Sequence, residues 1–262
     1  MDIDWSQVKK KTLWHYEDLI KKLLEVLVYG FVQEHYNHTM PEAATFAEQI
    51  QHGYIVNGKE ATFVSEIHTH LQILEAAGVR NYLDLVQKVS SKAKCEAFLA
   101  EREVSFDALI EVLGYLLRWV LPFRIPVKEL VDTMAETDKI QLAILKQHKV
   151  RSNLDVIERF RFKENRKTFS RETSVTEKFI LELVHRADIS RLAYVRGKTI
   201  KHLCGGGYDT LGKIAQADIK TMSAEMTAYY ATLGKRFSDF KVVIPLDWMI
   251  GGSRILPQVV AE

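Results

Sequence analysis

Apolar side chains recur three and four residues apart along almost the whole chain, a period that suits an amphipathic α-helix and not a strand. From Trp5 to Phe31 the residues Val8, Leu13, Ile20, Leu23, Leu24, Leu27 and Phe31 keep this spacing and predict one long first helix. Thr39, Pro41 and Glu42 look like a helix entrance and Gly53 its exit. Further helices are predicted over 91–100, over 105–121 with Ser105 as cap and Pro122 as stop, and from Thr137-Asp138 onward. Ser174 is expected to cap the helix "VTEKFILELVHRA". The polar stretch "KENRKTFSRETS" lacks apolar period and reads as a loop or hinge. The apolar end, "KVVIPLDWMIGGSRILPQVV", predicts a short helix and a tail docked on the core. The one strand signal is Asn57-Gly58 between apolar residues, a short hairpin or a loop into a helix over 61–77. The expected fold is all-α, a multi-helix bundle with at most a small β-hairpin.

The net charge of the 262 residues is +2, but it is unevenly spread. Residues 1–150 carry 17 basic and 21 acidic side chains, and residues 151–262 carry 19 and 13. We therefore expect an acidic helical region over 1–135 and a basic one over 136–262. Much of the excess sits in Arg159, Arg161, Lys163, Arg166, Lys167 and Arg171, interleaved with Phe160, Phe162 and Phe169. Cations mixed with aromatics can follow a phosphate backbone and stack on bases, whereas the plainer reading is a solvated helix face. Two distant cysteines give no disulfide framework and fit a reducing, cytoplasmic setting. The N-terminus does not read as a signal peptide, and the apolar stretch 108–123 is interrupted by Glu111 and Arg118, so no membrane association is expected.

The segment "RLAYVRGKTIKHLCGGGYDTLGKIAQAD", residues 191–218, combines Gly-Lys-Thr, a triple glycine, His202 and Cys204. A phosphate loop needs a glycine five residues before Gly197, where Leu192 stands, and a dinucleotide fingerprint needs one where Thr210 stands. Two cysteines are too few for structural zinc. A remote alternative is a carboxylate–histidine metal site on His35 and His38, three apart and beside Glu34. No nucleophile elbow, zinc-protease or paired-cysteine motif occurs, so no catalytic residue and no cofactor are assigned.

Within that segment Ala193, Val195, Thr199, Ile200 and Leu203, then Gly207, and then Tyr208, Thr210, Leu211, Ile214 and Ala215 form a pattern that resembles the helix-hairpin-helix family. Such units occur in DNA repair proteins, in helicase C-terminal domains and in uncharacterised domains built from the same unit. The resemblance implies a hairpin around Gly197, a helix ended by Gly207 and a following helix capped by Thr210. It also implies contact with DNA or RNA phosphates. Tyr194 and Arg196 replace the family's two hairpin glycines, so Arg196, Lys198 and Lys201 would contact phosphate through side chains, with the 159–171 run widening the contact. A weaker copy places Gly78 on Gly207, Leu74 on Leu203 and Leu85 on Ile214. Three functions stay open: a non-catalytic nucleic-acid-binding protein or accessory factor; a protein-interaction or assembly module whose hairpins only pack helices; and, more remotely, a metal-dependent helical enzyme using His35, His38 and neighbouring glutamates.

Overall fold

The structure is a computed structural model, and it describes residues 3–53, 59–131, 135–237 and 245–261. The Asn57-Gly58 turn lies outside these residues. The chain divides into two compact units, Met1–Leu121 and Pro122–Glu262, so that Pro122, the expected helix stop, opens the second unit. Helices make up both, and among the described residues there is no strand, only isolated antiparallel bridges between Thr39 and Asn81 and between Pro126 and Ser152. Among the described residues no helix is long and apolar enough to cross a membrane.

In the first unit the helices are α1 (Ser6–Thr12), α2 (Tyr16–Leu27), α3 (Gly30–His35), α4 (Met40–Gly53), α5 (Lys59–Ala76), α6 (Tyr82–Lys88), α7 (Lys92–Glu101) and α8 (Phe106–Tyr115). The single long first helix of the sequence reading is three helices. Its first break is at Leu13, whose left-handed φ of 75° ends α1, and its second is at Tyr29, where the backbone is extended. The apolar period continues across both breaks because Val8, Leu19, Leu23, Leu27 and Phe31 all reach one core. Residues 59–64, the second half of the suspected hairpin, belong to α5.

The second unit holds α9 (Glu136–Gln147), α10 (Asn153–Phe160), α11 (Lys163–Glu172), α12 (Glu177–Ile189), α13 (Gly197–Gly205), α14 (Leu211–Gln216), α15 (Ile219–Thr232) and α16 (Leu246–Ile255). The predicted loop over 163–174 is mostly α11. Its anchors are Phe169 and Arg166, both buried, and because one of them is an arginine no apolar period shows in the sequence. Thr176, not Ser174, caps α12, accepting from the Phe179 N–H at 3.2 Å. Beyond α16 the tail packs Val259 and Val260 inward.

The two units share a register. The helices α6, α7 and α8 begin at residues 82, 92 and 106, and α10, α11 and α12 begin at 153, 163 and 177, each 71 residues later. The turn before each set is the same Schellman closure. The Val79 N–H bonds the Leu74 carbonyl at 3.0 Å across Gly78, and the Val150 N–H bonds the Leu145 carbonyl at 2.9 Å across Lys149. Both central residues are left-handed, with φ of 80° and 63°. Asn81 and Ser152 then cap, and Asp84 and Asp155 each accept the N–H of Arg80 or Arg151 at 2.9 Å. Buried positions match as well: Leu85 with Val156, Phe98 with Phe169, Val104 with Val175, Leu109 with Ile180 and Leu113 with Val184. One three-helix pattern, with its opening turn, is thus built twice. Its opening turn recurs at Gly207, where the Tyr208 N–H bonds the Leu203 carbonyl at 2.8 Å.

Candidate nucleic-acid interface

The hairpin between α12 and α13 keeps a backbone that glycine would favour, because Tyr194 holds a φ of 62°. The turn it makes is covered. A Cβ on Gly197 would lie 2.6 Å from the Glu129 carbonyl oxygen, so the start of α13 packs directly on backbone and no side chain fits there. The Arg196 guanidinium lies 4.0 Å over the Phe123 ring and donates to the Val195 carbonyl at 2.8 Å. Burial pushes its pKa down from the usual arginine value, against the pull of Tyr194 and Glu129. Lys198 is exposed and Lys201 half-buried. The three cations expected to act together are therefore divided, and the turn does not present its backbone to a phosphate.

The triple glycine has a packing role. A Cβ on Gly205 would meet the Tyr229 side chain and one on Gly206 the Met226 sulfur, while Gly207 supplies the left-handed residue, with φ of 95°. Thr210 caps α14 by accepting from the Lys213 N–H at 3.2 Å, as expected. Tyr208 donates to Glu225 at 2.5 Å, and desolvation together with that carboxylate raises its pKa to about 12.

The basic run divides in the same manner. Arg166 is only 2% exposed and donates to the carbonyls of Phe160, Arg161 and Ala261 at 3.0, 3.2 and 3.1 Å. Its expected phosphate role is corrected, since the guanidinium is consumed inside the unit. Arg159 closes the end of α9 by donating to the His148 carbonyl at 2.8 Å, and its guanidinium stays at the surface. Lys167 pairs with Glu164 at 3.1 Å. Lys163 and Arg171 are exposed, and Arg171 bonds the Thr168 hydroxyl at 3.1 Å. Of the interleaved phenylalanines, Phe160 and Phe169 point inward. Phe162 is 46% exposed, with the Arg161 guanidinium 4.6 Å over its ring.

Three exposed cations outside that run join it: Lys146, Lys149 and Arg151, at the turn between α9 and α10. The same turn is held to α11 by His148, whose ring meets Phe169 edge-on at 5.1 Å. Sequence reading passed over them although a signal was present, since Val79-Arg80-Asn81-Tyr82-Leu83-Asp84 matches Val150-Arg151-Ser152-Asn153-Leu154-Asp155 at four of six positions. The left-handed position that glycine marks at residue 78 is a lysine at residue 149, which hides the repeat.

The metal alternative loses its geometry. Helix α3 ends at His35, so His38 does not share its face. His38 instead packs against Phe46 with ring centroids 5.0 Å apart and the planes tilted by 32°, and burial lowers its pKa. His35 lies 3.4 Å from Glu34. Among the described residues no group of three or more His, Cys, Asp or Glu side chains is placed to hold a metal ion. Comparison with protein-family models, curated proteins and solved structures finds no match for the chain.

Proposed function

We propose that this is a non-catalytic nucleic-acid-binding protein whose contact surface is the basic face formed by α10, α11 and the turn before α10. The carrying observation is a charge difference between equivalent segments. Residues 74–101 have four basic and four acidic side chains, a net charge of zero, whereas residues 145–172 have nine and four, a net +5. Both segments build the same helices behind the same side-chain-capped turn. Apart from Arg166, which is buried inside the unit, the surplus cations are not needed to build these helices, and self-repulsion makes them a mild burden on the fold. A polyanion is the partner that such a surplus suits. The helix-hairpin-helix resemblance points to the same class, but its turn is covered by Phe123 and Glu129 and does not carry the contact.

Binding of labelled DNA and RNA followed by fluorescence anisotropy across a salt series tests this. Affinity is expected to fall steeply with salt, and replacing Lys146, Lys163 and Arg171 together by Ala is expected to reduce the log–log slope by about 2. Replacing Lys198 and Lys201 should change it less. The covered hairpin favours the second reading, a protein-interaction or assembly module, and absence of binding to every nucleic acid at low salt decides for that reading.

A further inference from the structure

We infer that the nucleic acid taken by this face is single-stranded, with Phe162 as a base-stacking platform and Lys149 as a phosphate contact; this rests on the nucleic-acid reading above. The argument comes from positions where the second unit departs from the first at a cost to its own stability. At residue 78 the left-handed turn is occupied by glycine, the residue that adopts that conformation without strain, and at residue 149 by an exposed lysine with φ of 63°. At residue 91 a serine caps α7, accepting from the Lys94 N–H at 3.3 Å, while its equivalent Phe162 leaves α11 without a side-chain cap. At residue 90 a serine hydroxyl accepts from the Lys94 ammonium at 3.0 Å, and its equivalent Arg161 stacks on the Phe162 ring.

The departures at 149 and 162 give up a favourable local interaction, the one at 161 exchanges a hydrogen bond for a cation–π contact, and none adds a buried apolar group. Together they leave an exposed aromatic ring beside Arg161 and Lys163, in a unit whose turn before α10 carries the exposed Lys146, Lys149 and Arg151. Cations alone would serve a duplex equally well, because its phosphates are on the outside. An exposed ring gains only from a base whose face is free, which a stacked duplex does not offer and a single strand does.

The test restores the first unit's residues, as Phe162→Ser and Lys149→Gly, in the full chain. Binding of a short labelled oligothymidylate and of a duplex of equal length is measured beside resistance to denaturant. Both variants are expected to be at least as stable as the parent. Phe162→Ser is expected to weaken single-strand binding about tenfold and leave duplex binding unchanged. Lys149→Gly should lower the salt slope for the single strand by roughly 0.7. If the parent prefers the duplex, if Phe162→Ser binds the single strand as the parent does, if Lys149→Gly leaves the slope unchanged, or if Phe162→Ser unfolds, the inference is overturned and the basic-face reading stands. If the parent binds neither probe at low salt, both fall together.

Discussion

The segments 74–115 and 145–186 solve one folding problem with different surfaces. What they hold in common is a leucine that accepts the closing N–H, a left-handed residue, a valine, a polar cap, and an aspartate that ties down the turn. The apolar positions that follow are buried in both. Charge, by contrast, is free to change, as is the chemistry of one interior position. Cys95 and Arg166 occupy equivalent places, both buried, and the first is a small thiol while the second joins three carbonyls. Backbone satisfaction and burial therefore specify this unit, and the groups that differ record other demands.

Changes at equivalent positions can break or sharpen that comparison. The largest effect is expected from Arg166→Ala, which removes a buried guanidinium from three carbonyls and should cost about 3 kcal/mol in denaturant unfolding, against about 1 kcal/mol for Cys95→Ala. Of the three, the Arg161 carbonyl keeps another donor, the Ala261 N–H. Equal losses would mean that the two interiors are not different solutions after all. Next come the caps. Asn81→Ala and Ser152→Ala should each cost about 1 kcal/mol, and a difference well beyond that size would show that the two turns are not energetic equivalents. Gly78→Ala should cost slightly less, about 0.8 kcal/mol, since nothing lies within 4 Å of the added Cβ and the penalty is purely conformational.

The smallest expected effect concerns acid. Burial opposes ionisation of Asp84, but the Arg80 N–H and the ammonium of Lys88 outweigh it and hold the carboxyl below its usual value of 3.8. A carboxyl with a lowered folded pKa stabilises the fold above its unfolded pKa and loses that contribution as pH falls through the folded one. The penalty for Asp84→Asn should therefore be larger at pH 7 than at pH 3. An equal penalty at both would remove the electrostatic account of this turn.

The fold class was legible because helical period survives interruptions: every apolar residue chosen in the first stretch except Leu13 and Leu24 is buried, though the helix is broken twice. Caps at Ser105 and Thr210 were legible because a hydroxyl before an apolar run has one local use. Two features stayed hidden for opposite reasons. Helix α11 lacked apolar period because its interior anchor is charged. The repeat was masked because a lysine stands where the turn geometry favours glycine. The covering of the hairpin was beyond local reading, since Phe123 and Glu129 lie more than sixty residues before Arg196 and Gly197.

Arg166 has a further consequence for the order in which the chain matures. Two of its acceptors, Phe160 and Arg161, are its near predecessors, but the third, Ala261, is synthesised 95 residues later. Arg191 likewise waits 66 residues for the Pro257 carbonyl. A nascent chain halted before residue 257 carries both guanidinium groups incompletely matched, so the segment 257–261 acts as the latch on helices made much earlier.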